Sequence, residues 1–330
     1  MRICIVDPAC HVPSLKTLFP EAEFFSHEPD EFFRFGATNH ATKEENFKSY
    51  HFYYRTDWEA INSNNFDTLF IVAPLLDYYT LPGGLIHKPQ ERMRNKIREI
   101  LEKNTFQKVA LFDIYDYDYD PNNVGCEWKV DIFFKRNYVR HRVYKANVFP
   151  FPFMMFLKPC VLGLVLESPV EQLRQVERIH RCFWAGALYN HNDTFSKITR
   201  NRLDMYNDIK SYVDTYSLSE ADYLKCLKSY SMAVDLIGVG NPNKRTFEIL
   251  HAGTLLLSMN KELVWPFEKE DIFEEETFFS TKDEFKEKLF LLLTNQEVFH
   301  RCLLKQYFIV NKYFNKEYLS SYIMSHIHNT

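Results

Sequence analysis

The sequence predicts an α/β protein of two domains that face one another across a cleft. Three observations carry the prediction. Short apolar runs alternate with longer helical stretches through the first half. The same alternation returns in the second half. Between the halves lies a segment, 149–159, with three prolines among large apolar residues and almost no glycine or serine. Alternation of this kind implies strands layered against helices, and the proline segment reads as a packed crossover between domains.

The chain has 330 residues, 46% of them hydrophobic and 16% aromatic, enough for two ordinary cores. A formal net charge of -4 provides no general basic field, so nucleic acid is not an expected partner. The seven cysteines are scattered and none forms a C-x-x-C pair, which suggests neither a zinc site nor a disulfide framework. Reduced thiols fit a cytoplasmic location. The apolar N-terminus ends at Asp7, too soon for a signal peptide or a membrane span, and prolines interrupt the apolar run at 149–157. No transmembrane segment is expected.

In the first half, Ile3–Val6, Leu69–Ala73 and Val109–Phe112 are short apolar runs bounded by polar residues or proline. They read as buried strands of a mostly parallel sheet. Gln90–Lys103, rich in Arg, Lys, Glu and Ile, reads as a helix between the second and third. In the second half, helices are expected at Glu171–His180, Lys197–Lys210, Ser219–Ser229, Asp283–Leu293 and Glu297–Tyr313. Ser219 is placed as an N-cap. Strands are expected at Cys182–Ala185, Tyr212–Tyr216, Ala233–Ile237 and Thr254–Ser258. The domains are drawn at 1–155 (acceptor side) and 156–304 (nucleotide side), with 305–330 as a C-terminal helix returning to the first. Cys302, Leu303, Tyr307, Val310 and Phe314 recur at helical spacing and need an apolar partner, which the returning helix would find on the first domain.

The richest stretch for chemistry runs from Asp235 to Leu257. It reads as strand, glycine-containing loop, basic helix start, carboxylate, glycine, strand. Gly238 and Gly240 let the backbone approach a ligand closely. Pro242 favours an extended lead-in and Asn243 is a candidate N-cap for a helix starting at Lys244 or Arg245. A helix N-terminus with two cations is suited to a diphosphate, which Arg grips bidentately. Glu248 is placed to accept from ribose hydroxyls, and Gly253 to end the helix. The plain alternative is an ordinary crossover helix with a solvated charged face. The glycines do not form the G-x-G-x-x-G fingerprint.

The run Lys244 to Leu256 resembles the "R-x-F-E-x-x-x-x-G-x-x-L" signature of GT-B glycosyltransferases of the spore-maturation and exostosin-like type. Cys182 to Gly186, followed by Arg200 and Arg202, is similar to that family's "F-x-G … R" lead into its donor domain. Val109–Asp116, Asp131–Arg136 and Val148–Phe153 resemble its "D-x-x-D … Y-F-K-R … P-x-P-F" series. The resemblance spans roughly 109–257. It implies two Rossmann-like domains facing a cleft, Arg245 on the diphosphate and Glu248 on the ribose, with Gly186 and Arg202 in the donor domain; Gly240, Asn243, Lys244 and Phe247 at the start of the same helix complete the expected donor contacts. The donor would be a nucleotide-diphosphate sugar carrying UDP, GDP or dTDP, with no essential metal or other cofactor. The acceptor would be a hydroxyl of a glycan or glycoconjugate. One departure stands out. Many GT-B enzymes carry another Glu seven residues before the matching one, and here that position is Asn241.

Two features pull toward other chemistry. Asp113–Asp120 holds Asp-x-Asp spacing twice, and Asp116 with Asp118 would suit a metal-dependent GT-A transferase. Lys135, Arg136, Arg140 and Arg142 stand ready to neutralise the same acids. An inverting transfer also needs a base. His11 follows the first strand, Asp77 the second and Asp113 the third, and all three are candidates. A catalytically silent sugar- or protein-binding relative is the alternative from a different class.

Overall fold

The computed structural model describes residues 1–7, 14–26, 55–73, 88–113, 128–136, 138–151, 177–186, 188, 196–237, 244–268 and 272–330. The chain divides into two compact units. One comprises Met1–Leu162, Val264–Pro266 and Leu319–Thr330, the other Gly163–Leu263 and Phe267–Tyr318.

The first unit is built on a six-stranded parallel sheet, with β1 (Ile3–Val6), β2 (Glu23–Phe25), β3 (Thr68–Ala73), β4 (Lys108–Asp113), β5 (Ile132–Lys135) and β6 (Val148–Pro150) in the order β2-β1-β3-β4-β5-β6. Strands buried on both faces need continuous apolar runs, which is why these short segments lack polar alternation. Cys4, Val6, Leu69, Ile71, Val109, Leu111 and Phe133 enter one core cluster with Trp58, Trp128 and Ile97. The alternate residues point the other way. There Phe112 lies against Phe70 at 5.3 Å, Phe134 at 4.8 Å and Phe151 at 5.6 Å. Each such ring contributes roughly 1.5–3 kcal/mol by burial. Short helix α1 (Ser14–Leu18) follows β1, and α2 (Lys88–Lys103) precedes β4.

The segment expected as a crossover at 149–159 begins instead as sheet. Phe149 and Pro150 belong to β6, the edge strand, where a residue without N–H is tolerated. The rest of that segment lies outside the described residues, apart from Phe151, whose N–H donates to the Lys135 carbonyl at 3.0 Å.

The second unit has a four-stranded parallel sheet, with β7 (Ile179–Trp184), β8 (Asp214–Thr215), β9 (Tyr230–Asp235) and β10 (Leu255–Ser258) in the order β10-β9-β7-β8. Helices α3 (Ser196–Ile209), α4 (Glu220–Ser229), α5 (Lys244–His251), α6 (Lys282–Thr294) and α7 (Gln296–Tyr313) complete it. Ser219 caps α4, its side chain accepting from the Asp222 N–H. The expected helix at Glu171–His180 is corrected at its end: Ile179 and His180 are strand. Pairing with Tyr230 on β9 overrides the local helical reading. Arg178 fixes that lead-in by donating to the carbonyls of Tyr230 and Ala252 and to the Thr254 hydroxyl at 3.0, 2.7 and 2.8 Å.

The apolar stripe of α7 is satisfied within the second unit. Cys302 and Leu303 join the core cluster formed by Trp184, Val234, Leu257 and Phe285. Gln306 closes the outer edge of β10, accepting from the Leu256 N–H at 2.9 Å and donating to the Thr254 carbonyl at 2.8 Å. The last helix, α8 (Lys316–Asn329), has its residues from Leu319 onward in the first unit. There His326 stacks on Phe149 at 3.7 Å and the Tyr322 hydroxyl donates to the Pro150 carbonyl at 3.0 Å. Among the described residues, no helix is long and apolar enough to cross a membrane.

Candidate functional site

In the second unit the direction of winding changes between β7 and β9, whose carboxyl ends lie side by side. Such switch points are where α/β sheets leave a crevice for ligands. Strand β7 ends at Trp184 and runs on to Gly186, and β9 ends at Asp235. Helix α5 starts at Lys244 and leads back to β10. Its far end closes on Gly253 at φ 67°, a left-handed position natural to glycine. The N–H of Gly253 donates to Leu250 and that of Thr254 to Ile249, both at 3.3 Å, the paired bonds of a Schellman stop.

Arg245, in the first turn of α5, reaches across to β7. Its guanidinium carbon lies 5.4 Å from the centroid of the Trp184 ring, a cation–π contact. The same group occupies the space a side chain would fill at Gly186: a Cβ built there would overlap the guanidinium. A side chain at 186 would thus displace the Arg245 guanidinium, so glycine there leaves room for the arginine and is not demanded by backbone angle.

Arg202, on α3, comes to the same place and donates from Nε to the Ile237 carbonyl at 2.9 Å. Burial lowers its pKa, the like charge of Arg245 lowers it further, and Asp235 opposes both. Arginine stays charged through such shifts. Two guanidinium groups therefore lie within electrostatic reach of one another, Arg202 partly buried, an arrangement that favours an anion of more than one charge. The Tyr223 hydroxyl of α4 is buried near Arg245, Glu248 and Asp235, within electrostatic reach of Arg245 though outside good hydrogen-bond geometry. Burial pushes its pKa well up, so it remains a neutral phenol.

Glu248 lies one turn beyond Arg245 on the same helix and is 5% exposed. Phe247 faces the other way. It is fully buried and meets Phe314 edge-on at 6.0 Å, so in this structure the expected contact residue anchors α5 in the core. Of the other expected donor contacts, Gly240 and Asn243 lie outside the described residues, and only the backbone of Lys244 is described. Gly186, Arg202, Arg245 and Glu248 are brought together from β7, α3 and α5.

As site residues, sequence reasoning passed over Trp184, Tyr223 and Asp235, whose buried carboxylate accepts from the Thr246 hydroxyl and the Asn260 amide. The available signal was a carboxylate closing the apolar strand Tyr230–Asp235, where a buried charge needs partners.

In the first unit, Asp113 ends β4 and pairs with Lys135 of β5 at 3.2 Å, and neither side chain has any exposed surface. The expectation of Asp113 as a catalytic base is corrected accordingly: a shut-off carboxylate held by an ammonium is not open to an acceptor hydroxyl. Lys135 neutralises it, as the sequence allowed. His11 and Asp77 lie outside the described residues, as do Asp116 and Asp118. The strands that precede His11 and Asp77 in the chain, β1 and β3, are neighbours in the sheet. Among the described residues, no group of three or more His, Cys, Asp or Glu is placed to hold a metal ion.

No protein-family profile and no curated protein matches the sequence. Solved structures do. Anabaena HepE in complex with UDP superposes with a TM-score of 0.55 at 9% identity, over 100% of both chains. The same protein with UDP-glucose gives 0.53 at 10% identity, also over 100% of both. T4 phage β-glucosyltransferase gives 0.48 at 12% identity over 99% of both. The chain has the GT-B fold. That leaves the metal-dependent GT-A alternative, with Asp116 and Asp118 as ligands, without its fold.

Proposed function

We propose that the protein is a glycosyltransferase that moves a sugar from a nucleotide-diphosphate donor to an acceptor hydroxyl on a glycan or glycoconjugate. The observation that carries this reading is the seating of Arg245 on Gly186 beside Arg202, at the carboxyl-end switch point of a GT-B sheet. In the reaction the bond from the anomeric carbon to the diphosphate oxygen breaks, and a bond to the acceptor oxygen forms. Negative charge grows on the departing diphosphate. In this reading Arg245, Arg202 and the start of α5 stabilise it, and no metal is needed for the step. Glu248 accepts from the ribose hydroxyls. HepE was solved with UDP, so uridine is the first base to try here. The finer likeness to spore-maturation and exostosin-like enzymes is supported by sequence motifs: the one around Arg245 and Glu248, the Cys182–Gly186 lead with Arg200 and Arg202, and the series through Val109–Asp116, Asp131–Arg136 and Val148–Phe153. His11 or Asp77, beyond β1 and β3, supplies the base if the transfer inverts configuration.

Thermal shift with UDP, GDP and dTDP, each with EDTA or Mn²⁺, tests the reading. We expect one nucleotide to raise the midpoint in EDTA. Loss of a charge-assisted contact in Glu248→Ala costs on the order of 1.5–3 kcal/mol of donor affinity. Stabilisation only with Mn²⁺, or none by any nucleotide, overturns the proposal.

A further inference from the structure

We infer that Asp235 and Thr246 are positioning residues for the donor site: the buried Asp235 carboxylate, by accepting the Thr246 hydroxyl, sets the rotation of the helix that carries Arg245 and Glu248. The inference deepens the donor-site reading above and rests on it.

Asp235 is the last residue of β9 and has no exposed surface. Its carboxylate accepts from the Thr246 hydroxyl and from the Asn260 side-chain amide, the latter at 3.0 Å. Thr246 is also fully buried. Asn260 is itself held, its N–H donating to the Ser258 hydroxyl at 3.1 Å, while the Met259 N–H donates to the Asp235 carbonyl at 3.2 Å. Both hydrogen bonds end on the same carboxylate oxygen, Oδ2, one coming from α5 and one from the turn after β10. Hydrogen bonds to an ionised group are the strong ones.

A buried carboxylate is costly, and an apolar residue would serve the core as well. Its position gives it two uses. Thr246 lies between Arg245 and Glu248, so pinning its hydroxyl inward fixes where both neighbours point. Rotating an α-helix by about 20° moves an atom at a side-chain radius of about 5–6 Å by about 2 Å. That displacement is enough to break a hydrogen bond. The second use is electrostatic. Asp235 acts on Arg202 in the opposite sense to Arg245, so it offsets the repulsion between two guanidinium groups before an anionic ligand arrives.

The test compares Thr246→Val, which keeps the shape and removes the hydroxyl, with Thr246→Ser, which keeps the hydroxyl. Arg245→Ala and the double variant Thr246→Val/Arg245→Ala complete the set, each in the full chain. UDP affinity is read by calorimetry and the thermal midpoint without nucleotide is recorded alongside. We expect Thr246→Val to bind UDP about ten-fold more weakly, and Thr246→Ser to stay within about two-fold of wild type. The double variant should be weaker than Arg245→Ala by clearly less than the ten-fold cost of Thr246→Val in the wild-type background, because part of the hydroxyl's effect acts through the arginine and the rest through Glu248. A role in stability alone would shift the midpoint and leave affinity untouched. If Thr246→Val does not fold, Thr246→Ala carries the same readout. Wild-type affinity in the hydroxyl-less variant, or a double variant weaker by the full product, overturns the inference while the donor site stands. Undiminished UDP binding by Arg245→Ala, or no binding by wild type, overturns the donor site and the inference together.

Discussion

Gly186→Ala separates the fold from the site more cleanly than any other single change. The added Cβ would lie inside the Arg245 guanidinium, so one of the two must move. The obstructing atoms are the far end of a long flexible side chain, and swinging it aside costs the fold little. The site loses more. Displaced from Gly186, Arg245 leaves its place over Trp184 and beside Arg202. If it grips the diphosphate, a charge-assisted contact worth about 1.5–3 kcal/mol is lost. At 1.4 kcal/mol per decade that is a Kd raised about 10- to 150-fold. The assay is calorimetric titration with the cognate nucleotide diphosphate, with a thermal melt of the same sample. We expect a melting midpoint within about 2–4 °C of wild type, equivalent to about 1 kcal/mol or less. Wild-type affinity with a wild-type melt would refute the reasoning, since Arg245 would then have no need of the space above Gly186. A large drop in the melt would show instead that Gly186 is a packing residue.

Three other outcomes follow from the described geometry. Lys135→Met removes the buried cation paired with Asp113 and should cost roughly 3–5 kcal/mol in urea unfolding, with much of it recovered in Asp113→Leu/Lys135→Met; a loss below about 1 kcal/mol would contradict the buried pair. Gly253→Ala forces a side chain into the left-handed stop of α5 and should lower stability by about 1–2 kcal/mol; an unchanged urea midpoint would count against that geometry. Burial alone lowers the pKa of His251, at the end of α5, from 6.5 to about 3. The unfolded chain therefore takes up this proton first as pH falls, so the stability is present above about 6.5 and is lost as pH falls toward 3, at up to about 1.4 kcal/mol per pH unit. His251→Leu should flatten urea midpoints between pH 7 and pH 5, and an identical slope in both proteins would remove His251 as the cause.

Much of this architecture was legible in the sequence because local rules decide it. Strands buried on both faces need continuous apolar runs, and Ile3–Val6 matches its expected limits. The Ser219 cap, the start of α5 at Lys244 and the stop at Gly253 follow from backbone chemistry within a few residues. The sequence also pointed to Gly186, Arg202, Arg245 and Glu248, through spacing and a family signature. What it did not contain was their mutual placement. That Arg245 fills the space above Gly186, that Asp235 grips Thr246 and Asn260, and that Lys135 closes off Asp113 are contacts across parallel strands and their crossovers. Likewise Ile179 and His180 became strand because β9 offered partners, and Phe149–Pro150 because β5 left an edge. Such choices depend on which segments become neighbours. In a parallel sheet those neighbours are separated by whole crossovers, so no local window of sequence holds both sides of the interaction.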